Sequence, residues 1–405
     1  WRWNLHSPPE PPRRSCQPLA RQPLGSAPPP TIPRRLTCFS ARIRHLVHRR
    51  KCKNNLLPHQ QKALNFLRNQ DQFLVTQCDK NLGPAIIERT EYIRLAFRDH
   101  LNDRKTYKYL NPGLAKTKAI QMRNDLQKWL KLFKKSLTTN EKRFLNHHLA
   151  NNKEPFATFY VTMKVHKTPL KTRPIVSCSG SLYEALGIWV DDKLQHVARQ
   201  QKSYFKSTFD LKQELLSLTL PPNALMFTAD ATSMYTNIPT NKALHFIGRY
   251  LQHNEAQFEA VPTEALIAAL RLIMKNNVFT FGDTTFRQLT GTAMGTPPAP
   301  PWATIYYALC EHDFLDTFDE HLLLYRRFID DVFGIWVPQD DDFHTNENEW
   351  EEFKLAMNNP LFELEWIVSP LSRRVDFMDL TISIDGSSIN TTLYEKKCHL
   401  HLYIP

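Results

Sequence analysis

An α+β fold, with helices laid on one face of an antiparallel sheet, is what this sequence predicts. Three observations predict it. Apolar runs of strand length carry carboxylates: Ala224 to Ala229 leads into Asp230, and Leu322 to Val337 holds Asp330-Asp331 at its middle. Between them, apolar residues recur at helical spacing over Lys242 to Gln252 and Thr263 to Lys275. Turn signals at Gly282-Asp283 and Asp385-Gly386 separate further strand-like stretches. At 405 residues with 42% hydrophobic content, the chain holds two or three subdomains around a sizeable core, which excludes disorder throughout.

Residues 1 to 52 are rich in proline and arginine, as in Pro11-Pro12-Arg13-Arg14 and Pro33-Arg34-Arg35, and are expected to be a disordered, solvated tail. Residues 53 to 152 read as a helical N-terminal extension, in which Ile120, Leu126, Trp129, Leu130 and Phe133 share an amphipathic packing face. His147-His148 has no spaced partner and is read as solvated. Residues 156 to 177 read as two extended segments around Thr168-Pro169-Leu170, a basic hairpin that would gather Lys164, Lys167, Lys171 and Arg173 on one flap. A helix is expected over Leu211 to Leu218, a hairpin over Val278 to Phe286, and strands over Phe362 to Val368 and Asp376 to Ile384.

The chemistry concentrates in three blocks. A hairpin with Asp330 and Asp331 at its tip would hold anionic oxygens where a hard divalent cation binds, and Asp230, at the end of its own strand, would supply a further ligand. Between them, Gln288-Leu289-Thr290-Gly291-Thr292-Ala293-Met294-Gly295-Thr296-Pro297 combines glycines, which let backbone approach a ligand, with an amide that both donates and accepts. In the flap, Arg173 and Lys164 are the cations suited to phosphate oxygens.

The order of these blocks resembles the palm of reverse transcriptases: an Asp with an aromatic residue five positions on, then Q-x-x-G-x-x-M-G-x-P, then an aromatic-x-D-D. Tyr235-Thr236-Asn237-Ile238-Pro239, Met163 to Lys167, Thr172 to Ser177, Asp79 to Pro84 and Asp376 to Leu380 are similar to the motifs of Penelope-like retroelement enzymes, relatives of telomerase, so the resemblance runs from about Lys53 to the C-terminus. It implies a right-hand polymerase with fingers at 153–225, palm at 226–384 and the start of a truncated thumb at 385–405. It also implies an RNA-directed DNA polymerase that uses an RNA template, a DNA primer or target DNA, deoxynucleoside triphosphates and two Mg2+ ions, for which Mn2+ substitutes. Asp230 and Asp330 would bridge those ions, with Asp331 as a supporting ligand. Tyr235 would sit beneath the incoming sugar and exclude a 2′ hydroxyl, while Gln288 and Gly295 would shape the nucleotide and template pocket. In that family more thumb follows, often with a GIY-YIG endonuclease, and this chain, which begins at Trp1, reads as a fragment.

Some residues depart from the family pattern. Thr296-Pro297-Pro298-Ala299-Pro300-Pro301 carries extra proline, expected to stiffen or delay the next helix. Asn81-Leu82 replaces glycines, and Phe328 stands where tyrosine is commoner. A formal charge of +12 and an isoelectric point near 9.3 agree with a polyanionic partner. Seven scattered cysteines, never spaced C-x-x-C, support neither a zinc site nor a disulfide framework, and no apolar run reaches the length of a membrane span. The expected location is therefore intracellular, and nuclear from the chromosomal DNA such enzymes must reach. An RNA-dependent RNA polymerase, a decayed copy that only binds nucleic acid, and a scaffold with a proline-rich tail are the alternative readings.

Overall fold

The computed structural model describes residues 56–152, 154–258, 261–339 and 342–394; the predicted tail, residues 395–405 and Cys16, Cys38, Cys52 and Cys398 lie outside them. The described residues divide into a small unit, 56–75 with 86–93, and a large one, 76–85 with those from 94 onward. The small unit holds α1 (Pro58–Arg68), which opens on a proline whose missing N–H has no partner to lose at that position. It also holds the outer residues of β1 (Phe73–Gln77) and β2 (Pro84–Glu88), which pair as a two-stranded ribbon, and the start of α2 (Arg89–Ala96).

The large unit continues with β3 (Tyr107–Leu110), α3 (Pro112–Leu132) and α4 (Thr139–Asn151). Next come β4 (Ala157–Lys164), β5 (Lys171–Ser177), α5 (Glu184–Ala198), α6 (Thr208–Leu216) and β6 (Leu225–Ala231). The single turn α7 (Met234–Asn237) leads into α8 (Thr240–His253), α9 (Thr263–Lys275), β7 (Val278–Phe281), β8 (Thr284–Gln288) and α10 (Ala299–Leu315). The chain closes with β9 (Leu322–Phe328), β10 (Asp331–Trp336), α11 (Phe343–Met357), β11 (Trp366–Val368), β12 (Arg374–Phe377), β13 (Leu380–Asp385) and β14 (Ser388–Leu393).

Three sheets organise this unit. A five-stranded sheet runs β3-β8-β7-β4-β5, with only β4 and β7 parallel. The central sheet runs β11-β6-β10-β9 and is antiparallel throughout, and β12-β13-β14 form a third. Both faces of the central sheet are covered. Phe227, Ala229, Val332 and Trp336 pack into the main core with α5, α8, α9, α10 and α11, while Met226, Leu324, Phe333 and Ile335 pack against α6 and the third sheet. The largely apolar run from Leu225 to Ala229 in β6 has this reason: a strand covered twice does not alternate apolar with polar.

Several expectations change. The stretch read as helical also contains β1, β2 and β3, and β3 is an edge strand of the five-stranded sheet, paired with β8. On α3 the buried stripe is Ala115, Met122, Leu126 and Trp129, whereas Ile120 is exposed because it falls outside that three-and-four spacing. The strand expected over Asp376 to Ile384 is two, β12 and β13, turning at Met378, which adopts φ 53°. Only Trp366–Val368 of the expected Phe362–Val368 strand is extended, because Pro360–Phe362 forms a 3-10 turn. The proline run does not delay its helix: α10 starts at Ala299 with Pro300 and Pro301 in the first turn, where absent N–H groups cost nothing. Cys78, Cys178 and Cys310 are free thiols, and no helix among the described residues is long and apolar enough to cross a membrane.

The join between α4 and α5 is acid-sensitive. Burial pushes the Glu141 carboxyl up, but Lys193, Thr138 and Trp189 hydrogen-bond to its charged form and together hold it down at about 2. A carboxylate depressed on folding adds stability above its unfolded value near 4.5, and that contribution is lost as pH falls toward 2. Glu141→Gln is therefore expected to lower the melting temperature at pH 7 and to flatten its fall between pH 5 and 3, measured by circular dichroism.

Candidate active site

The three aspartates meet at one end of the central sheet. β9 and β10 pair with Phe328 opposite Asp331, which leaves Ile329 and Asp330 as a two-residue turn. Ile329 takes φ 58°, a left-handed backbone normally given to glycine in such turns and strained for a β-branched side chain. On the other side, Asp331 stands opposite Asp230 in the β6 pairing, and the Asp330 carbonyl accepts from Ala231 N at 3.0 Å. Residues opposite each other in an antiparallel pair share a face, so Asp230 and Asp331 project to the same side.

Burial raises the Asp230 carboxyl, against the pull of the Lys80 ammonium. Burial also raises Asp330, and the charge of Asp230 adds to it, while Arg173 and Arg327 oppose it. Two oxygen ligands whose charge is disfavoured by burial and by each other suit a hard divalent cation, which relieves both costs. Among the described residues, however, no three His, Cys, Asp or Glu side chains stand close enough together to hold a metal ion in the present arrangement.

Tyr235, on the turn that follows β6, lies beside this cluster: burial raises its hydroxyl, and the charge of Asp330 raises it further while that of Arg173 lowers it. The 288–297 loop is locked onto it. Thr292 N donates to Tyr235 O at 2.6 Å, and a Cβ on Gly291 would lie 2.2 Å from the same oxygen, so only glycine fits. Gly295, at φ 109°, does the same against β5: its Cβ would fall 2.5 Å from Val176 O, and Val176 N donates to Met294 O at 2.6 Å. Gln288 is buried and donates to Thr290 O at 2.8 Å, so its amide shapes the loop from within.

The basic hairpin exists as β4 and β5. Lys164 stands opposite Lys171, and Thr162 opposite Arg173, which places Lys164, Lys171 and Arg173 on one face. Burial lowers the half-buried Lys164 ammonium, and the like charge of Arg173 lowers it further. The sequence reading assigned no role to three residues that the structure brings here: Asp79 and Lys80, in the turn between β1 and β2, and Arg327. Arg327 and Glu311 form a fully buried pair at 2.6 Å. Arg327 Nη1 donates to Ile329 O at 3.1 Å and Nη2 to Thr304 O at 2.9 Å; Glu311 also accepts from Tyr325 OH at 2.9 Å and Ser203 Oγ at 2.5 Å. The tip that carries Asp330 is thus bolted to α10.

No protein-family model and no curated protein matches the chain. Solved structures do. Telomerase from Candida albicans, in complex with a TWJ fragment of telomeric RNA, superposes with a TM-score of 0.53 at 11% identity, covering 82% of this chain and 55% of that one. Apo telomerase from Candida tropicalis gives 0.52 at 12% identity over 80% of this chain and 56% of that one. The same enzyme truncated of its C-terminal domain gives 0.53 at 12% identity, with 82% and 65% covered. The chain therefore has a telomerase-like polymerase fold and spans little more than half the length of the full telomerases; at such identities the likeness is one of fold.

Removing one partner of a buried pair leaves an uncompensated charge. Glu311→Gln is expected to cost about 3–5 kcal/mol of stability, read by urea denaturation, and to cost far more than Glu214→Gln at the part-exposed pair with Arg326.

Proposed function

We propose that this chain is the RNA-directed DNA polymerase of a Penelope-like retroelement, extending a DNA primer on an RNA template with deoxynucleoside triphosphates. The observation that carries the reading is the meeting of Asp230, Asp330 and Asp331 at one sheet end, beside Tyr235 and Arg173, in a telomerase-like fold. The order of the sequence motifs supports it independently.

Asp230 and Asp330 are the residues that would hold divalent cations, Mg2+ or Mn2+, with Asp331 in support. Bound there, such ions lower the pKa of an attacking 3′ hydroxyl and neutralise charge on a leaving pyrophosphate. The rest falls to the chain. Arg173 and Lys164 bind phosphate oxygens from the hairpin face. Tyr235, fixed through its carbonyl by Thr292, presents its ring to the sugar and leaves no room for a 2′ hydroxyl. The net charge of +12 holds the template and primer. A retroelement polymerase of this kind works on chromosomal DNA, hence in the nucleus.

Primer extension on an RNA template with Mg2+ and deoxynucleotides tests this directly. The parent is expected to extend and Asp330→Ala to be inactive while still binding the hybrid; binding by both with extension by neither would leave a nucleic-acid binder in place of the polymerase. Tyr235→Ala is expected to raise ribonucleotide use about tenfold relative to deoxynucleotide use, measured as a ratio of kcat/KM values.

A further inference from the structure

The Asp79-Lys80 turn stands beside the aspartates without a role in the proposed reaction. Asp79–Asn81 forms one 3-10 turn between β1 and β2, closed by Cys78 N donating to Gly83 O at 2.9 Å. Cys78 also bridges in parallel to Met163 of β4, which fixes the turn against the strand that bears Lys164. Within the turn Lys80 adopts φ 58° and ψ 35°, a left-handed backbone that a long side chain rarely takes. Such strain persists where surroundings over-determine it, commonly at ligand sites.

The Asp79 carboxylate is 10% exposed and grips Arg173: Nη2 donates to Oδ2 at 3.2 Å, and Nε lies 2.9 Å from Oδ1. The Arg173 side chain as a whole is 38% exposed, although its Nε is buried. One edge of Arg173 is held by the protein while much of the side chain remains open, which is how a cation is aimed at an anionic ligand instead of being consumed by its partner. Lys80 is the cation whose charge acts on Asp230, and it also acts on His166, whose Nδ1 is buried with no hydrogen-bond partner among the described residues. Lys164 and Arg173 share one face of the hairpin, and the turn that bears Lys80 is bridged to the same strand, so three cations and the Asp79 carboxylate stand together on the side of Asp230 and Asp330. Cations held beside acids that a divalent ion would neutralise are complementary to a polyphosphate.

We propose that Asp79 is a positioning residue for Arg173 and that Lys80 contacts the phosphates of the incoming nucleoside triphosphate, so that this turn forms a wall of the nucleotide site. The inference rests on the polymerase reading for the identity of the ligand, but its test does not need turnover.

The measurement is fluorescence titration of a deoxynucleoside triphosphate with Ca2+ onto the full chain bound to a primer–template hybrid. The variants are Asp79→Asn, Lys80→Gln, Lys80→Arg, Arg173→Ala and the double Asp79→Asn/Arg173→Ala. Asp79→Asn and Lys80→Gln are expected to weaken triphosphate binding about tenfold, or about 1.4 kcal/mol, with hybrid affinity and melting temperature unchanged. Lys80→Arg should restore most of the affinity. Because Asp79 acts through Arg173, the double variant should bind no more weakly than Arg173→Ala alone. Parent-like binding by Asp79→Asn, additive losses in the double variant, or parent-like binding by Lys80→Gln would each overturn the assignment, as would a parent that binds no triphosphate. A parent that binds triphosphate with these losses but never extends a primer keeps the inference and removes the polymerase reading; a parent that extends with an unchanged nucleotide KM in Asp79→Asn does the reverse.

Discussion

The ion pair between Glu311 and Arg327 is the constraint on which the rest of the site depends. Both side chains are almost wholly excluded from solvent, so each charge has given up its hydration and relies on the other. Such pairs are seldom the most stable way to fill a core, since apolar residues of similar volume often do as well. What an apolar pair would not supply is direction. The Arg327 fork reaches Glu311 on α10, the Thr304 carbonyl on the same helix and the Ile329 carbonyl at the hairpin tip, and lies over the Tyr307 ring at 5.1 Å. It converts the position of a buried helix into the position of Asp330.

The doubly covered sheet explains the electrostatics of the same end. Through most of their length β6 and β10 carry apolar residues to both faces, and no charge survives there. Only where the covers stop do the aspartates emerge, Asp230 exposed and Asp330 and Asp331 partly buried. Partial burial is what disfavours the charge on Asp230 and Asp330, and the same reduced screening by water would make the proposed cation effective there. The nearby cations, Arg173 from β5 and Lys80 from the turn between β1 and β2, moderate that cost without removing it.

Sequence reading recovered the local parts of this arrangement. Asp230 with Tyr235, the Gln288 to Pro297 loop and Asp330-Asp331 each lie within one short stretch, so their residue types and spacing can be read locally. The extent of α9 was legible from helical periodicity and the β7-β8 turn from Gly282, although β8 runs to Gln288, two residues past the expected Phe286. The Glu311–Arg327 pair was not, since its members lie sixteen positions apart on a helix and a strand. Tyr325-Arg326-Arg327 reads as an ordinary basic stretch; strand parity sends Arg326 to Glu214 near the surface and Arg327 into the core, and nothing local says which way round. β3 escaped notice for a different reason: four residues directly before a helix carry too little pattern, and their partner β8 lies more than 170 positions away.

Backbone strain shows how these levels join. The described non-glycine residues with positive φ are Lys80, Ser233, Ile329, Glu363 and Met378, and the first three border the aspartates. Each is held by something stronger than its own preference. Ile329 is pinned through its carbonyl by Arg327, and Ser233 through its carbonyl by the N–H groups of Thr236 and Asn237, which seats Tyr235 between them. Lys80 is held by a turn whose neighbour Asp79 is anchored to Arg173. A conformation that costs on the order of 1–3 kcal/mol in isolation persists only where such contacts outweigh it. The strain therefore marks the points at which packing elsewhere in the protein is converted into the aim of a side chain at the site.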